Sequence, residues 1–145
     1  MENKTQVIIV GGGPAGISAG ITLARAGKEV VLIERGSYSG SKNMFGGAIY
    51  TQPTKEIFPN FETEAPLERN NTRHKNMLLT QTEDTTISHT EKSSLSNSYT
   101  VIRGKFDRWC AKEAQKAGVT LVTETVVEEL IVKNGKVIGV KTELE

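Results

Sequence analysis

The stretch VIIVGGGPAGISAGITLARAGKEVVLIE, residues 7–34, decides the fold of this chain. It opens with four β-branched residues at 7–10, and such a short apolar run is typical of a strand buried on both faces of a parallel sheet. A glycine turn and a helix with a periodic apolar face follow, and Gly27 ends that helix. A second apolar run at 30–33 leads to Glu34. The order of these segments predicts a βαβ unit.

Three glycines in the turn, Gly11, Gly13 and Gly16, have the G-x-G-x-x-G spacing of dinucleotide-binding folds. Gly11 is expected to let the chain turn sharply, Gly13 to let the backbone approach a pyrophosphate, and Gly16 to let the helix pack closely on the strand. Pro14, followed by Ala15, suits the first helical position because it has no N–H to lose there. The helix N-terminus offers unpaired N–H groups and a positive dipole end to a pyrophosphate. We therefore predict a dinucleotide site; the alternative is a plain βαβ unit with a glycine-rich loop.

Glu34 lies 18 positions after Gly16, close to where this motif places the carboxylate that hydrogen-bonds ribose hydroxyls. A carboxylate there would repel a 2′-phosphate, so it disfavours NADP. The next residue, Arg35, could pair with a phosphate or lie against an adenine. The alternative for Arg35 is a solvated side chain that follows a strand.

The composition limits the kinds of partner. The length of 145 residues suggests one domain, and the net charge of +1 without basic clustering indicates neither nucleic acid nor an anionic membrane surface. The single cysteine, Cys110, excludes an internal disulfide and a multi-cysteine metal site built by this chain alone. His74 and His89 are predicted to be surface or sheet residues and not metal ligands. No signal-peptide pattern and no run of about 20 apolar residues is present, which predicts a cytoplasmic chain.

A second unusual stretch, SKNMFGGA at 41–48, combines two side-chain donors with two glycines. Lys42 and Asn43 could meet the polar edge of a flat ring, while Gly46 and Gly47 let backbone approach its face. An ordinary loop is an equally good interpretation of the composition alone.

Several stretches of the chain resemble the FixC-type branch of the electron-transfer-flavoprotein:quinone oxidoreductases. They are GGGPAG at 11–16, ERG at 34–36, SKNMFGGAIY at 41–50, APLER at 65–69, and VIRGKFDRWCAKEAQKAGVTLVTETVVEELIVKNGKVIGV at 101–140. The stretches SKNMFGG and APLER are much more specific than the glycine turn. The wider superfamily of FAD-dependent reductases includes the geranylgeranyl reductases and the aromatic hydroxylases.

The resemblance implies an FAD-dependent oxidoreductase that passes electrons from a reduced electron-transfer flavoprotein through FAD to a quinone or another carrier. FAD carries the chemistry in such proteins, so no catalytic acid, base or nucleophile is predicted in this chain. The cofactor-binding positions that the resemblance implies are Gly11, Gly13, Pro14, Ala15 and Gly16 at the pyrophosphate, Glu34 at the adenosine ribose, Arg35 near the adenosine, Lys42, Asn43, Gly46 and Gly47 toward the flavin, Arg103 on the cofactor, and Val126 and Val127 beside the adenine.

Two features of the family have no counterpart in this sequence. Its second FAD motif, a Gly-Asp pair with a following helix, does not occur before Glu145, and one cysteine cannot hold the four-cysteine iron–sulfur cluster of the quinone oxidoreductases. The sequence is therefore expected to be the N-terminal part of a longer protein, whose full-length form could lie at a membrane surface. One alternative is a geranylgeranyl-reductase-like flavoenzyme. Such reductases commonly carry a cysteine in the loop that corresponds to residues 42–47, and this chain has none there, so this alternative ranks second. The other is a non-catalytic fragment that binds FAD or NAD.

The remaining segments complete the predicted fold. Residues 49–68 carry three prolines and suggest an irregular connection, and 49–98 is expected to be an insertion that contributes to a substrate-facing sheet. Further predicted elements are antiparallel strands at 77–80 and 86–90, a strand at 98–102 with a break at Gly104, a helix over 106–117, a third parallel strand at 119–122, and a hairpin of 126–132 and 136–144 turned by Asn134-Gly135. The predicted class is α/β: a truncated, Rossmann-like FAD-binding domain with a parallel sheet, helices and a side β-hairpin, plus part of a second, antiparallel sheet.

Overall fold

A computed structural model of the chain describes residues 4–90 and 97–144, and these residues form ten strands and four helices. In chain order the elements are β1 (Val7–Val10), α1 (Pro14–Arg25), β2 (Val30–Ile33), β3 (Gly46–Tyr50), α2 (Thr51–Ile57), α3 (Phe61–Glu64), β4 (Leu67–Asn70), β5 (Arg73–Leu79), β6 (Asp84–Thr90), β7 (Ser98–Ile102), α4 (Arg103–Lys116), β8 (Thr120–Val122), β9 (Thr125–Lys133) and β10 (Lys136–Leu144).

A parallel sheet with strand order β1-β2-β8 stands at the centre of the fold. β1 pairs with β2 so that Val7 is aligned with Val30, and β2 pairs with β8 so that Val31 is aligned with Thr120. These pairings confirm the βαβ unit and the third parallel strand. The carboxyl ends of β1 and β2 meet at the same edge of the sheet, and ligands of open α/β sheets bind at that edge.

The core lies between the parallel sheet and the helices α1 and α4. Ile17 and Ile21 of α1, Leu32 of β2, and Phe106 and Cys110 of α4 are buried together. Each large aliphatic side chain buried in this way stabilises the fold by about 1.5–3 kcal/mol. This packing fixes the start of α1 above the edge of the sheet where the glycine turn lies.

The opposite face of the parallel sheet is partly exposed within the described residues, although Ile33 on that face is buried. Ile8 is 37% exposed and Val10 57%, and Val122 on β8 is 37% exposed. The prediction that β1 is buried on both faces is therefore wrong, because α1 and α4 cover one face only. We call Ile8, Val10 and Val122 the outer face.

A second, antiparallel sheet has the strand order β3-β7-β4. β7 is central, with Val101 aligned with Gly47 on β3 and with Leu67 on β4. α4 begins at Arg103 directly after β7, so the break predicted at Gly104 is wrong. Residues 49–68 are also more regular than predicted, because they contain α2 and α3 as well as the start of β4.

Two antiparallel pairs complete the fold. β5 and β6 pair over their full lengths and confirm the small antiparallel pair predicted between residues 77 and 90. β9 and β10 form the predicted hairpin, and the turn residues Asn134 and Gly135 both have positive φ, 52° and 73°. Asn and Gly are the residues that tolerate this conformation in a two-residue hairpin turn. The predicted fold class is confirmed.

Candidate cofactor site

The glycine turn between β1 and α1 is tightly closed. The Gly11 N–H donates to the Ile33 carbonyl at 2.7 Å, and the φ of Gly11 is +103°, which favours glycine. A Cβ added at Gly16 would lie 2.1 Å from the Gly11 carbonyl oxygen and 3.2 Å from Ile9 Cγ2. The roles predicted for Gly11 in the turn and for Gly16 in close packing therefore have a direct geometric basis.

Gly13 differs from these two glycines because neither its backbone conformation nor a contact with the described residues requires glycine there. Its backbone is extended, with φ −81° and ψ 176°, which other residues adopt as readily. A Cβ added there would meet no atom of the described residues within 4 Å. The position faces open space at the start of α1, where Pro14 and Ala15 follow. This is the expected geometry where a ligand, and not the protein, requires close approach to the backbone.

The first turn of α1 has no acidic residue of its own that would compete with an anion. Within the described part of the chain, no side chain caps this helix. The first N–H groups of a helix have no intrahelical partner, and the dipole favours negative charge beside them. The start of α1 can therefore hold a phosphate group through its backbone.

Glu34 is fixed beside this turn at the end of β2. Its Oε2 accepts a hydrogen bond from the Gly12 N–H at 2.7 Å, and its Oε1 accepts one from the Gly36 N–H at 2.8 Å. Each carboxylate oxygen can accept more than one hydrogen bond, so the group keeps capacity for ribose hydroxyls. The carboxylate thus stands where the sequence motif requires it, oriented by two backbone donors.

Two serine hydroxyls close to Glu34 are residues that the sequence analysis missed. Ser39 Oγ and Ser41 Oγ are buried and have no hydrogen-bond partner among the described residues. A Cβ on Gly12 would lie 2.5 Å from Ser39 Oγ, and one on Gly36 would lie 2.2 Å from Ser41 Oγ, so the hydroxyls flank the segments that hold the Glu34 carboxylate. A buried polar group without a partner costs about 1–3 kcal/mol. Unsatisfied hydroxyls at this point fit a polar ligand such as a ribose. The only signal in the sequence is the serine-rich loop after Glu34.

The start of β9 lies against the Glu34 segment. The Thr125 N–H donates to the Glu34 carbonyl at 3.2 Å, and the Glu124 N–H donates to the Gly36 carbonyl at 3.1 Å. Val126 and Val127 follow directly on β9 and are half-buried, whereas Arg35 is exposed. The structure therefore brings the strand that carries the predicted adenine-side valines next to the backbone of Glu34.

Some of the remaining predicted site residues line a cavity of about 400 Å³, whereas Lys42, Asn43 and Gly46 do not. Pro14 of α1, Gly47 of β3 and Arg103 of α4 all line it, together with Phe45 and other mainly apolar side chains. Residues 46–48 belong to β3, so the prediction of a loop over 41–48 is wrong for these three residues, which include Gly46 and Gly47. Lys42 is exposed. The cavity connects the start of α1 with the second sheet.

A carboxylate that sequence reasoning missed, Asp107, lies behind this cavity. Its side chain is 0% exposed, and it accepts hydrogen bonds from Arg103 Nε at 2.8 Å and Nη2 at 2.9 Å. Asn43 Nδ2 donates to its Oδ2 at 2.7 Å. Two predicted cofactor-binding residues thus share one buried partner. No signal in the sequence indicated this i,i+4 pair, because the predicted helix begins at residue 106, after Arg103.

Trp109 and Cys110 on α4 are packing residues, as the sequence predicts. Trp109 packs against Phe58, with ring centroids 5.1 Å apart, and against Phe106 at 5.7 Å. Cys110 is 1% exposed, and burial, followed by the nearby Asp107 charge, raises the pKa of its thiol well above the usual range. A thiol held in its protonated form is a poor nucleophile.

We expect Cys110 to resist thiol reagents in the folded protein. At pH 8.5 a free cysteine is about half ionised, but the raised pKa and the burial keep Cys110 protonated and inaccessible. Reaction with a chromogenic disulfide reagent should be at least about 100-fold slower than in urea-unfolded protein. Stoichiometric reaction within the mixing time, without unfolding, would contradict this assignment.

The raised pKa of Cys110 also makes the stability of the fold depend on pH. Because the folded-state pKa is above the unfolded value, the contribution of this thiol to stability is full below about pH 8.5 and falls as the pH rises further.

Comparisons with known proteins decide the family. The family described as "FAD binding domain" matches residues 4–142. The chain belongs to this family. Its cofactor is accordingly FAD, and the glycine turn, the Glu34 carboxylate and the unsatisfied serine hydroxyls fit the adenosine and pyrophosphate parts of that molecule.

Relatives of this FAD-binding domain confirm the resemblance to the FixC branch. It is 39% identical to protein FixC of Escherichia coli K12 over 145 residues, which cover 98% of this chain and 34% of the relative. It is 41% identical over 140 residues to a probable electron transfer flavoprotein-quinone oxidoreductase of the same organism, covering 97% of this chain and 33% of the relative. The chain spans about a third of the length of these curated relatives.

Solved structures confirm the fold of the FAD-binding domain. A geranylgeranyl bacteriochlorophyll reductase-like protein from Thermoplasma acidophilum has a TM-score of 0.79 and 26% identity, covering 97% of this chain and 35% of that chain. The flavin-dependent brominase Bmp2 has a TM-score of 0.76 at 21% identity, covering 97% of this chain and 34% of that chain, and shows the fold alone. Among residues 4–90 and 97–144, no helix has both the length and the apolar character that crossing a bilayer requires.

Proposed function

We propose that this FAD-binding domain belongs to an oxidoreductase that accepts electrons from a reduced electron-transfer flavoprotein and passes them to a quinone or another carrier. The observation that carries the proposal is the combination at the β1–α1 turn: open space at Gly13, a helix N-terminus without an acidic residue, and a Glu34 carboxylate held by two backbone N–H groups. The 41% identity to a probable electron transfer flavoprotein-quinone oxidoreductase supports the choice of reaction.

The residues of this chain are proposed to bind and orient the cofactor. Gly13, Pro14, Ala15 and the start of α1 hold the pyrophosphate, because this is where unpaired N–H groups meet open space. Glu34, with the two serine hydroxyls beside it, holds the ribose. When bound, FAD accepts and releases electrons, and the protein positions the ring and tunes its potential.

The second sheet is proposed to supply the other side of the site. Residues 49–98 contain β4, β5, β6 and the two short helices that precede them, and we propose that this insertion contributes to a substrate-facing sheet. Arg103 and Gly47, which line the cavity, and the neighbouring Asn43 and Lys42 lie on the flavin side in this proposal. A cytoplasmic location, with membrane contact in the full-length form, belongs to the same proposal.

A geranylgeranyl-reductase-like activity is the second candidate. The structural likeness to the reductase-like protein of Thermoplasma acidophilum favours it. Geranylgeranyl reductases commonly carry a cysteine in the loop that corresponds to residues 42–47. This chain has none there, which favours the electron-transfer reaction. Both candidates use the same FAD site, and they differ in what reoxidises the cofactor.

A titration with FAD tests the shared part of the proposal. Saturable quenching of flavin fluorescence that excess NAD cannot displace is the expected result. The ribose and pyrophosphate are common to FAD and NAD, so this expectation rests on the match to the family of FAD binding domains. Binding of NAD with no retention of FAD would contradict it. This chain, as the N-terminal part, is expected to be inactive alone. In the full-length protein with FAD bound, anaerobic reduction by a reduced electron-transfer flavoprotein, followed by reoxidation with a soluble quinone, is expected. Reoxidation by an unsaturated isoprenoid alone would favour the second candidate.

A further inference from the structure

A buried carboxylate joins the start of α4 to the loop that precedes β3. Asp107 is 0% exposed, and both of its oxygens accept hydrogen bonds from Arg103, at 2.8 Å and 2.9 Å. Its Oδ2 also accepts a hydrogen bond from Asn43 at 2.7 Å. The two donor residues, Arg103 and Asn43, are 60 positions apart in the chain. Asp107 is therefore a shared anchor for both.

The electrostatics of this cluster fix the guanidinium in one orientation. An ionised carboxylate without exposure to water needs a cation and hydrogen bonds, and the bidentate arginine pair supplies both. The hydrogen bonds that Arg103 donates to the Asp107 carboxylate raise the pKa of Arg103, so the guanidinium stays charged. The Arg103 side chain is 27% exposed and lines the cavity, so N–H groups beyond the pair are available to a ligand there.

The backbone around Asp107 holds the loop against α4 as well. The Arg103 N–H donates to the Phe45 carbonyl at 3.1 Å, and the Asn43 N–H donates to the Gly40 carbonyl at 3.0 Å. A Cβ on Gly40 would lie 2.9 Å from Asp107 Cβ, so the loop approaches the carboxylate as closely as glycine permits. Loop, carboxylate and helix start thus pack as one unit beside the cavity.

We propose that Asp107 is a positioning residue that orients Arg103 and Asn43 toward FAD. Asp107 does not bind the cofactor itself, because it is fully buried, its oxygens already accept three hydrogen bonds, and its charge would repel a pyrophosphate. It acts through the arginine and the asparagine by fixing the direction of their donors. This inference rests on the proposed FAD site and adds a residue to it that neither motif nor family match assigns.

A double-mutant cycle on FAD affinity tests this inference. Asp107→Asn preserves shape but replaces an acceptor oxygen with an NH₂ group, so the bidentate pair is lost, and we expect FAD affinity to fall about tenfold. Arg103→Gln should cause a loss of similar size. The loss of FAD affinity in the double variant should be smaller than the sum of the two single losses, because Asp107 exerts part of its effect through the arginine. Additive losses would overturn the inference.

A second readout in the cofactor-free protein does not depend on binding. The Arg103 Nε–H, held by Asp107 at 2.8 Å, is expected to give a resolved, slowly exchanging resonance in a proton–nitrogen NMR spectrum. Asp107→Asn keeps one acceptor oxygen but loses the charge and the second acceptor, so this resonance should exchange markedly faster with water. Glu113→Gln on the same helix is the matched control, because Glu113 pairs with the exposed Lys116. It should leave both the exchange rate and the FAD affinity unchanged. An unchanged exchange rate in Asp107→Asn would contradict the inference.

Arg103→Lys keeps the inference testable if Asp107→Asn does not fold. Lysine keeps the charge but cannot form the two-point pair, so FAD affinity should fall nearly as far as in Arg103→Gln. Wild-type affinity in Arg103→Lys would show that orientation is unimportant and would overturn the inference. If the unmodified protein does not bind FAD, both the proposed function and this inference are wrong. If Asp107→Asn and wild type bind FAD with equal affinity, only the positioning role of Asp107 is wrong.

Discussion

Replacing Gly13 with alanine is expected to weaken FAD binding by at least about 100-fold while the cofactor-free protein melts within about 2 °C of wild type. The added methyl group meets no protein atom within 4 Å, and the extended backbone suits alanine. Alanine is a poorer helix N-cap than glycine but lowers the entropy of the unfolded chain, and the two effects nearly cancel. The cost therefore appears only when a pyrophosphate must approach the backbone.

Flavin fluorescence titration and thermal unfolding without cofactor measure the two effects separately. Gly139→Ala in β10 is a matched control, because a Cβ there meets Ile131 Cδ1 at an ordinary 3.7 Å. It should leave FAD affinity unchanged. If Gly13→Ala binds FAD as tightly as wild type, the pyrophosphate does not pass this glycine and the proposed site is in the wrong place.

Replacing Gly16 with alanine is expected to have the opposite signature, a loss of stability before any ligand is added. The new Cβ would lie 2.1 Å from the Gly11 carbonyl oxygen, so α1 must move away from β1 or the turn must open. Overpacking of this kind costs about 3 kcal/mol. For a chain of this size that corresponds to a fall in melting temperature of about 6–12 °C.

Calorimetry or circular dichroism of the cofactor-free protein measures this loss. Gly13→Ala serves as its control, since it places the same methyl group three residues earlier on the same turn. A melting temperature of Gly16→Ala within about 2 °C of wild type would show that the helix and strand can separate without cost, against the geometry described above.

The parts of the fold that were predictable from the sequence are those with local signals. The βαβ unit has an apolar strand, a glycine turn, a helical period and a second strand in direct succession, and the β9–β10 hairpin has Asn134-Gly135 at its turn. In each case neighbouring residues determine the structure. The short helices α2 and α3 were missed because seven and four residues are too few for a periodic apolar pattern.

The parts of the site that could not be predicted depend on residues far apart in the chain. Asn43 and Asp107 are 64 positions apart, and only the folded second sheet brings the loop before β3 to the start of α4. Ser39 and Ser41 are similar, because nothing in a serine-rich loop indicates which hydroxyls become buried without a partner. Glu34, by contrast, was predictable because the end of β2 fixes its place beside the turn.

The outer face of the parallel sheet has a calorimetric consequence. Ile8, Val10 and Val122 remain in contact with water in the folded chain, so unfolding does not newly hydrate that part of their surface. The heat capacity of unfolding is proportional mainly to newly hydrated apolar area, and a chain of 145 residues ordinarily gives about 2 kcal/mol/K. This chain alone should therefore have a heat capacity change of unfolding below that value and a flatter curve of stability against temperature. A ligand or chain that covered the outer face would raise the heat capacity change again.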